Sequence, residues 1–344
     1  MNQKISRRKF IESSSKGLVA VAVIPSFLSS DITKALAAGR GESMNLQDYY
    51  EHFGINEKMI QEVFDQALAR GGDYCDLYFQ HNIGNYIGLE DKDVNRAYSD
   101  VSFGVGIRVL KGDQTGYSFT EEITLKAMKL AAQTAANIAD SNKIIKPIKL
   151  KLRDTPDYYP IETPWEQISI DKKIPYLQKI NDKVFAEDPR VIKSNIWFSN
   201  STSYILVVTS EGIVAHDYQP MGAISVSVTA EQNGKREQNY FDLSGRRGIE
   251  FFTPENINRL AKEPVIRTIN LFDAVKPDAG EMEVVLAAGS SGILLHEAIG
   301  HGMEADFNRK GTSIFADKID KPVAENFVNI VDEILAHLIA LSHQ

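Results

Sequence analysis

Hydrophobic residues recur with two different periods along the chain, so the sequence predicts both helices and strands. Residues 46–69 and 123–139 carry apolar side chains at helical spacing, and the second segment is rich in alanine. Residues 76–86 alternate between apolar and polar positions and place Leu77 and Phe79 on one face of a strand. The first part of the chain therefore combines helices with strands.

Two short glycine-containing segments predict hairpins. Lys111-Gly112-Asp113-Gln114 and Glu211-Gly212 each separate two strand-like runs. The strands predicted around and between these turns are 101–110, 115–119, 192–198, 203–210, 213–218 and 224–231. Helices are predicted at 168–185 and near 254–261, and four prolines between 146 and 164 indicate a domain connector.

A different order of elements is predicted nearer the carboxyl end. Residues 282–286 form an apolar run typical of a strand, and the glycine-rich turn at 289–292 precedes a short helix. We therefore predict an α+β fold with an N-terminal α/β layer containing β-hairpins and a central strand-rich part. The start of a β-rich C-terminal domain, which carries that short helix, is expected to follow.

The amino terminus has the order of segments found in an export signal. Ser6-Arg7-Arg8-Lys9-Phe10-Ile11 is a twin-arginine pattern, 17–28 is apolar, and Ala35-Leu36-Ala37 is a small-residue cleavage site. The alternative is a membrane anchor, but the apolar run has 12 residues and contains Pro25, whereas a spanning helix needs about 20. We expect a cleaved twin-arginine signal, no stable membrane span, and a periplasmic or other extracytoplasmic location.

Charge and cysteine content narrow the function further. The chain of 344 residues has a formal charge of −8, and residues 1–37 contribute +4, so the remainder carries −12. Such an acidic body disfavours a surface that follows nucleic-acid phosphates, and we expect no nucleic-acid partner.

Cys75 is the only cysteine, so an internal disulfide is impossible. We expect a buried structural thiol, with metal ligation as the alternative.

The candidate chemistry lies in His296-Glu297-Ala298-Ile299-Gly300-His301, an HExxxH pattern. Imidazole is the commonest transition-metal ligand, and a neighbouring glutamate commonly acts as the general base. Residues five apart on a regular α-helix diverge by about 140°, so an undistorted helix cannot bring both histidines to one ion. Gly300 is where we expect the helix to bulge or break. Two unrelated histidines near a helix end are the alternative.

The sequence around this pattern closely resembles the signature of the TldD/PmbA family, metallopeptidase-like proteins also described as modulators of DNA gyrase. The resemblance rests on residues 293–311 (ILLHEAIGHGMEADFNRKG) and, less specifically, on 103–117 and 230–236, and it extends from about 46 to about 330. It implies a peptidase that hydrolyses peptide bonds with a metal-activated water. It also implies a related TldD/PmbA-family subunit as a heteromeric partner.

The resemblance also implies the site residues. His296 and His301 would bind a divalent metal, most simply zinc, and Glu297 would transfer the proton; the substrate-binding residues are unknown. The family takes a third ligand, a cysteine, from downstream of the histidines, and this chain has no cysteine after Cys75. A non-catalytic partner or scaffold subunit is therefore the competing hypothesis.

Several nearby groups have open interpretations. Glu304 and Asp306 either hydrogen-bond the histidines or form a solvated acidic patch. Residues 308–311 either steer a peptide carboxylate or form a simple basic turn, and we favour the turn. The isolated histidines are expected to be structural or on the surface; these are His52, His81 and His216.

The resemblance fades after about residue 333, where the chain continues as an apolar stretch containing His337 and His343. We expect a truncated product, with a frameshift as one hypothesis, and we do not assign these histidines as ligands. The predicted organisation is a signal peptide (1–37), a linker (38–45), an N-terminal TldD/PmbA-like α+β domain (46–145), a central TldD/PmbA-like domain (146–275) and an incomplete C-terminal metallopeptidase domain (276–344).

Overall fold

The computed structural model describes residues 44–139, 146–153, 161–287, 289 and 291–330. The chain forms two compact units with a boundary between Ala274 and Val275. We call residues 44–274 the sheet unit and residues 275–330 the motif unit. The predicted signal peptide, most of the linker, part of the proline-rich connector and the stretch with His337 and His343 lie outside the described residues.

The sheet unit combines seven strands with five helices of eight residues or more within its described part. Its strands are β1 (Tyr74–Glu90), β2 (Asp93–Lys111), β3 (Gln114–Thr120), β4 (Lys151–Leu152), β5 (Val191–Thr209), β6 (Ile213–Gln232) and β7 (Lys235–Gly245). Its helices are α1 (Leu46–Phe53), α2 (Glu57–Leu68), α3 (Leu125–Ala136), α4 (Ile170–Glu187) and α5 (Pro254–Asn270). The predicted α+β class is confirmed.

All seven strands belong to one sheet of order β3-β2-β1-β5-β6-β4, and β7 pairs with β6. Only β4 runs parallel to its neighbour; the other pairs are antiparallel. The β1–β5 ladder, which begins at the pair Asp76 and Thr209, joins the N-terminal hairpins to the central ones. Residues from both predicted domains thus contribute to a single continuous sheet.

Two apolar clusters lie between the sheet and its helices. The first is formed by α1, α2 and α3 against β1, β2 and β5, and it includes Phe53, Phe64, Phe79 and Leu206. The second is formed by α4 and α5 and includes Phe198. Strand β1 contributes to both clusters, with Leu77 and Phe79 in the first and Ile87 and Leu89 in the second. The predicted placement of Leu77 and Phe79 on one face is confirmed, since both are buried and Tyr78 between them is exposed.

The structure corrects several element boundaries. The helix predicted over 46–69 is two helices, because Gly54 has φ 66° at the end of α1 and the Asn56 side chain caps the start of α2. Four of the predicted short strands form the two long strands β5 and β6, because their polar interior residues remain paired in the ladder. The predicted hairpin turns at Gly112 and Gly212 are confirmed, with φ values of 56° and 87°.

The motif unit has a different character. It contains α6 (Ser291–Leu295), a π-helical turn (His296–Gly300), a 3₁₀ turn (His301–Met303) and α7 (Ala305–Arg309). The strand predicted at 282–286 is wrong: these residues pair with no strand among the described residues, and a β-ladder requires a partner. None of the residues described between 275 and 330 is buried. No helix among the described residues of the chain is long and apolar enough to cross a membrane.

Candidate metal centre

The HExxxH pattern lies where the helix changes from α to π geometry. Helix α6 runs directly into the π turn, and the His301 backbone N–H donates to the carbonyl of His296, five residues earlier. This i to i+5 bond widens the turn by one residue relative to an α-helix. The distortion expected at Gly300 is therefore confirmed, and it takes the form of a widened turn without a break in the helical backbone.

The widened turn brings the two histidine rings together. Their centroids are 4.5 Å apart, with an interplanar angle of 70°. A Cβ added at Gly300 would lie 3.4 Å from Nδ1 of His296, an ordinary van der Waals distance, so Gly300 lies directly against this ring. The π turn thus places residues five apart on one face, which a regular α-helix cannot do.

The residues of this cluster fit a divalent metal. One ligand atom from each of His296, Glu297 and His301 lies within 4.8 Å of the others, and all three side chains are exposed. Ligand atoms around zinc are about 3.4 Å apart in tetrahedral geometry, so binding requires only a small approach of these side chains. The donor set of two imidazoles and one carboxylate suits zinc and its neighbours in the first transition row.

The His301 ring contacts a carboxylate at each nitrogen. Nδ1 lies 2.6 Å from Oε1 of Glu304, and Nε2 lies 3.3 Å from Oε2 of Glu297. The hydrogen bond with Glu304 raises the pKa of His301, and the charges of Glu297 and Glu304 act in the same direction. Asp306 is exposed and faces Lys310 at 3.8 Å. Of the two acidic residues with open interpretations, Glu304 is the one in contact with a histidine.

The segment after the motif is organised by polar contacts to the backbone. Nδ2 of Asn308 donates to the carbonyls of Glu304 at 2.8 Å and Gly302 at 3.2 Å. The Ser313 hydroxyl also donates to the Gly302 carbonyl. Asn308, which the sequence placed in a simple basic turn, is therefore a structural residue that holds the turn containing Glu304.

Cys75 does not supply the missing thiol ligand within the described cluster. It lies in β1, is fully buried, and belongs to the first apolar cluster. Burial raises the pKa of its thiol, which disfavours the thiolate that metals bind. The expectation of a buried structural thiol is confirmed.

The isolated histidines are structural, but two of them form a pair that the sequence did not indicate. Nε2 of His52 lies 2.9 Å from Nδ1 of His81, and both side chains are buried. The two histidines are 29 positions apart and meet because α1 packs on β1, so no local sequence pattern could indicate the pair. His216 stacks on Tyr49 with a centroid distance of 4.6 Å.

Comparison with known proteins identifies three consecutive domains of one family. Residues 75–139 match the family described as PmbA/TldA metallopeptidase domain 1. Residues 163–272 match its central domain, and residues 279–338 match its C-terminal domain. The HExxxH pattern falls within the third match.

Individual relatives agree with the family matches. The metalloprotease TldD homolog of Haemophilus influenzae is 34% identical over 286 residues, which cover 81% of this chain and 59% of that protein. The zinc metalloprotease TldD homolog of Saccharolobus solfataricus is 26% identical over 285 residues, which cover 78% of this chain and 58% of that protein. The chain thus spans less than two thirds of the length of these relatives.

Solved structures share the fold. A proposed modulator of DNA gyrase from Bacteroides thetaiotaomicron matches with a TM-score of 0.62 at 15% identity, over 82% of this chain and 63% of that one. TldE from Thermococcus kodakarensis matches with a TM-score of 0.52 at 13% identity, over 76% of this chain and 58% of that one. From its three domain matches and its TldD relatives, the chain belongs to the PmbA/TldD metallopeptidase family.

Proposed function

We propose that this chain is a metal-dependent peptidase in which His296 and His301 bind a divalent metal and Glu297 transfers protons. The observation that carries the proposal is the π turn, which places two imidazoles and a carboxylate within 4.8 Å of one another. The names of the relatives support hydrolysis of peptide bonds, and that of the S. solfataricus protein supports zinc as the metal.

The residues of the cluster have separable roles. His296 and His301 hold the metal through neutral ring nitrogens. When bound, the metal supplies a Lewis acid that activates water and polarises the peptide carbonyl. Glu297 accepts the proton that the attacking water releases, and it returns that proton to the leaving amine. Its carboxylate is exposed and already lies beside His301, so it is accessible to a substrate.

A non-catalytic subunit of the same fold is the competing function. The observation that favours it is the donor set: two imidazoles and a carboxylate are present, and the single thiol of the chain is buried in β1. Catalytic zinc sites commonly use three protein ligands. The two functions therefore differ in whether His296 and His301, with any further donor, hold a metal ion in the assembled protein.

Metal analysis of the full chain separates these functions. We expect about one zinc per chain in the wild type, loss of zinc in His296→Ala, and retention in the control Asp317→Asn, which alters an exposed carboxylate of the motif unit. Glu297→Gln should retain zinc and lose hydrolysis of an unstructured fluorogenic peptide. Loss of zinc from Glu297→Gln would instead make Glu297 a ligand, and absence of zinc from the wild type would favour the non-catalytic subunit.

We further propose that the chain works with a related subunit and is exported. Membership of the PmbA/TldD family, for which the sequence resemblance implies a related partner subunit, supports a paired assembly. The twin-arginine pattern and the small-residue site at 35–37 support export. Co-purification with a PmbA/TldD-family protein from the same cell would test the assembly. Retention of an Arg7→Lys, Arg8→Lys variant in the cytoplasm would test the export route.

A further inference from the structure

The two ring nitrogens of His301 have unequal carboxylate neighbours. Glu304 contacts Nδ1 at 2.6 Å, whereas Glu297 lies 3.3 Å from Nε2. A neutral imidazole has one N–H and one lone pair, and an ionised carboxylate only accepts hydrogen bonds. The shorter contact fits an Nδ1–H that donates to Glu304. This tautomer leaves the lone pair on Nε2, the nitrogen beside Glu297.

We propose that Glu304 is a positioning residue that selects this tautomer of His301 and directs Nε2 to the metal. The inference rests on the proposed function, since it assigns a role at the same metal site. A carboxylate that accepts the second N–H of a histidine ligand fixes both the tautomer and the ring orientation, and it increases the basicity of the ligand.

The backbone around Glu304 is arranged for this role. Glu304 occupies the N-cap position of α7, yet its side chain makes no capping bond to that helix and turns back to His301. Asn308 holds its main chain by donating to the Glu304 carbonyl at 2.8 Å. The Glu304 carboxylate is therefore free of the helix amides and is held by the contact with His301.

Asp306 provides a matched control for the charge of Glu304. It lies two residues away, is similarly exposed, and faces Lys310 at 3.8 Å. Asp306→Asn removes one negative charge from the same turn and leaves the contact between Glu304 and His301 intact. Glu304→Gln removes the charge and replaces one carboxylate oxygen with an N–H donor, so it weakens the acceptor for Nδ1–H while it preserves the size of the side chain.

The test uses the metal-free full chain labelled with ¹⁵N, followed by titration with zinc. Long-range ¹H–¹⁵N spectra should show the Nδ1–H tautomer of His301 in the wild type and in Asp306→Asn, and a mixed population in Glu304→Gln. Zinc affinity should fall about 10- to 100-fold in Glu304→Gln, and it should change less than about twofold in Asp306→Asn. Unchanged tryptophan fluorescence of each variant would show that the sheet unit is retained, because both tryptophans lie there. Unchanged backbone amide resonances of the labelled motif unit would show that the turn around His301 is retained.

An Nε2–H tautomer in the wild type would overturn the proposal, as would unchanged zinc affinity in Glu304→Gln. Equal losses of affinity in Glu304→Gln and Asp306→Asn would also overturn it, because the effect would then arise from general charge. If the wild type binds no zinc, the proposed function fails. The tautomer spectra of wild type and Glu304→Gln would still decide whether Glu304 selects the tautomer.

Discussion

The sheet unit and the motif unit are stabilised by different interactions. The sheet unit surrounds two apolar clusters, and residues such as Phe79 and Phe198 are fully buried there. The described part of the motif unit has no buried residue, and its Phe327 side chain is 83% exposed. Its shape depends on backbone turns and polar contacts, which contribute about 1 kcal/mol each. The HExxxH cluster thus lies in the unit whose described side chains are the less buried of the two.

Phenylalanine truncation should show the largest difference between the units. Phe79→Ala should lower the free energy of unfolding by about 3–5 kcal/mol, because it leaves a cavity in the first apolar cluster. Phe327→Ala should change it by less than about 0.5 kcal/mol. Urea unfolding followed by tryptophan fluorescence measures the free energy of unfolding of the sheet unit in both variants, since both tryptophans of the chain, Trp165 and Trp197, lie in that unit. Equal effects would contradict the contrast between the units.

Acid should destabilise the sheet unit through its buried histidine pair. Burial lowers the pKa of His52 to about 3 and of His81 to about 4; the neighbouring His81 lowers the first further, and Glu166 partly offsets the second. The unfolded chain, with a pKa of about 6.5, binds more protons below neutrality, so this stability is present above pH 6.5 and is lost as the pH falls.

The expected loss between pH 7.5 and pH 5 is about 2 kcal/mol for each imidazole. The urea midpoint of His81→Gln should therefore depend less steeply on pH than that of the wild type. The comparison of the two proteins also corrects for carboxylates that titrate in the same range, because both proteins contain them. In the motif unit the hydrogen bond with Glu304 raises the pKa of His301, so its protonation in acid acts in the opposite direction. Identical pH profiles for the variant and the wild type would exclude the pair as the cause.

Zinc should stabilise the motif unit and leave the sheet unit unchanged. At a free zinc concentration tenfold above the Kd, binding contributes about 1.4 kcal/mol. We expect slower amide hydrogen exchange within 291–309 and no change in β1 or β5, with EDTA reversing the effect. Protection that spreads equally over the sheet strands would show that the two units are energetically coupled.

Removal of one helix cap should give the smallest effect. The Thr253 hydroxyl accepts from the Asn256 N–H at 3.1 Å at the start of α5, so Thr253→Ala should cost about 1 kcal/mol of sheet-unit stability. The control Thr312→Ala removes an exposed hydroxyl that donates to the Phe307 carbonyl in the motif unit. It should leave the fluorescence-detected midpoint unchanged, and a shift equal to that of Thr253→Ala would argue against independent units.

The type of an element, helix or strand, could be predicted from the sequence where the apolar period was uninterrupted. The residues at which elements begin and end could not. In β5 the polar run from Ser199 to Ser203 suggested a break, but it is paired on both sides by β1 and β6 and continues the strand. At 282–286 the opposite occurred: an apolar run suggested a strand, but in the part of the chain that the structure describes it pairs with no other strand. In both cases the ladder partners decided, and a local pattern does not contain them.

The sequence by itself determined the α+β class, the faces of β1, the turns at Gly112 and Gly212, and the three residues of the candidate metal centre. It also indicated that the helix departs from α geometry at Gly300 if both histidines bind one ion, because residues five apart do not share a face at 3.6 residues per turn. Only the tertiary structure decided that the departure is a π turn, that Glu304 contacts His301, and that His52 pairs with His81. These features depend on distances between atoms that the backbone brings together, and residue spacing alone does not specify them.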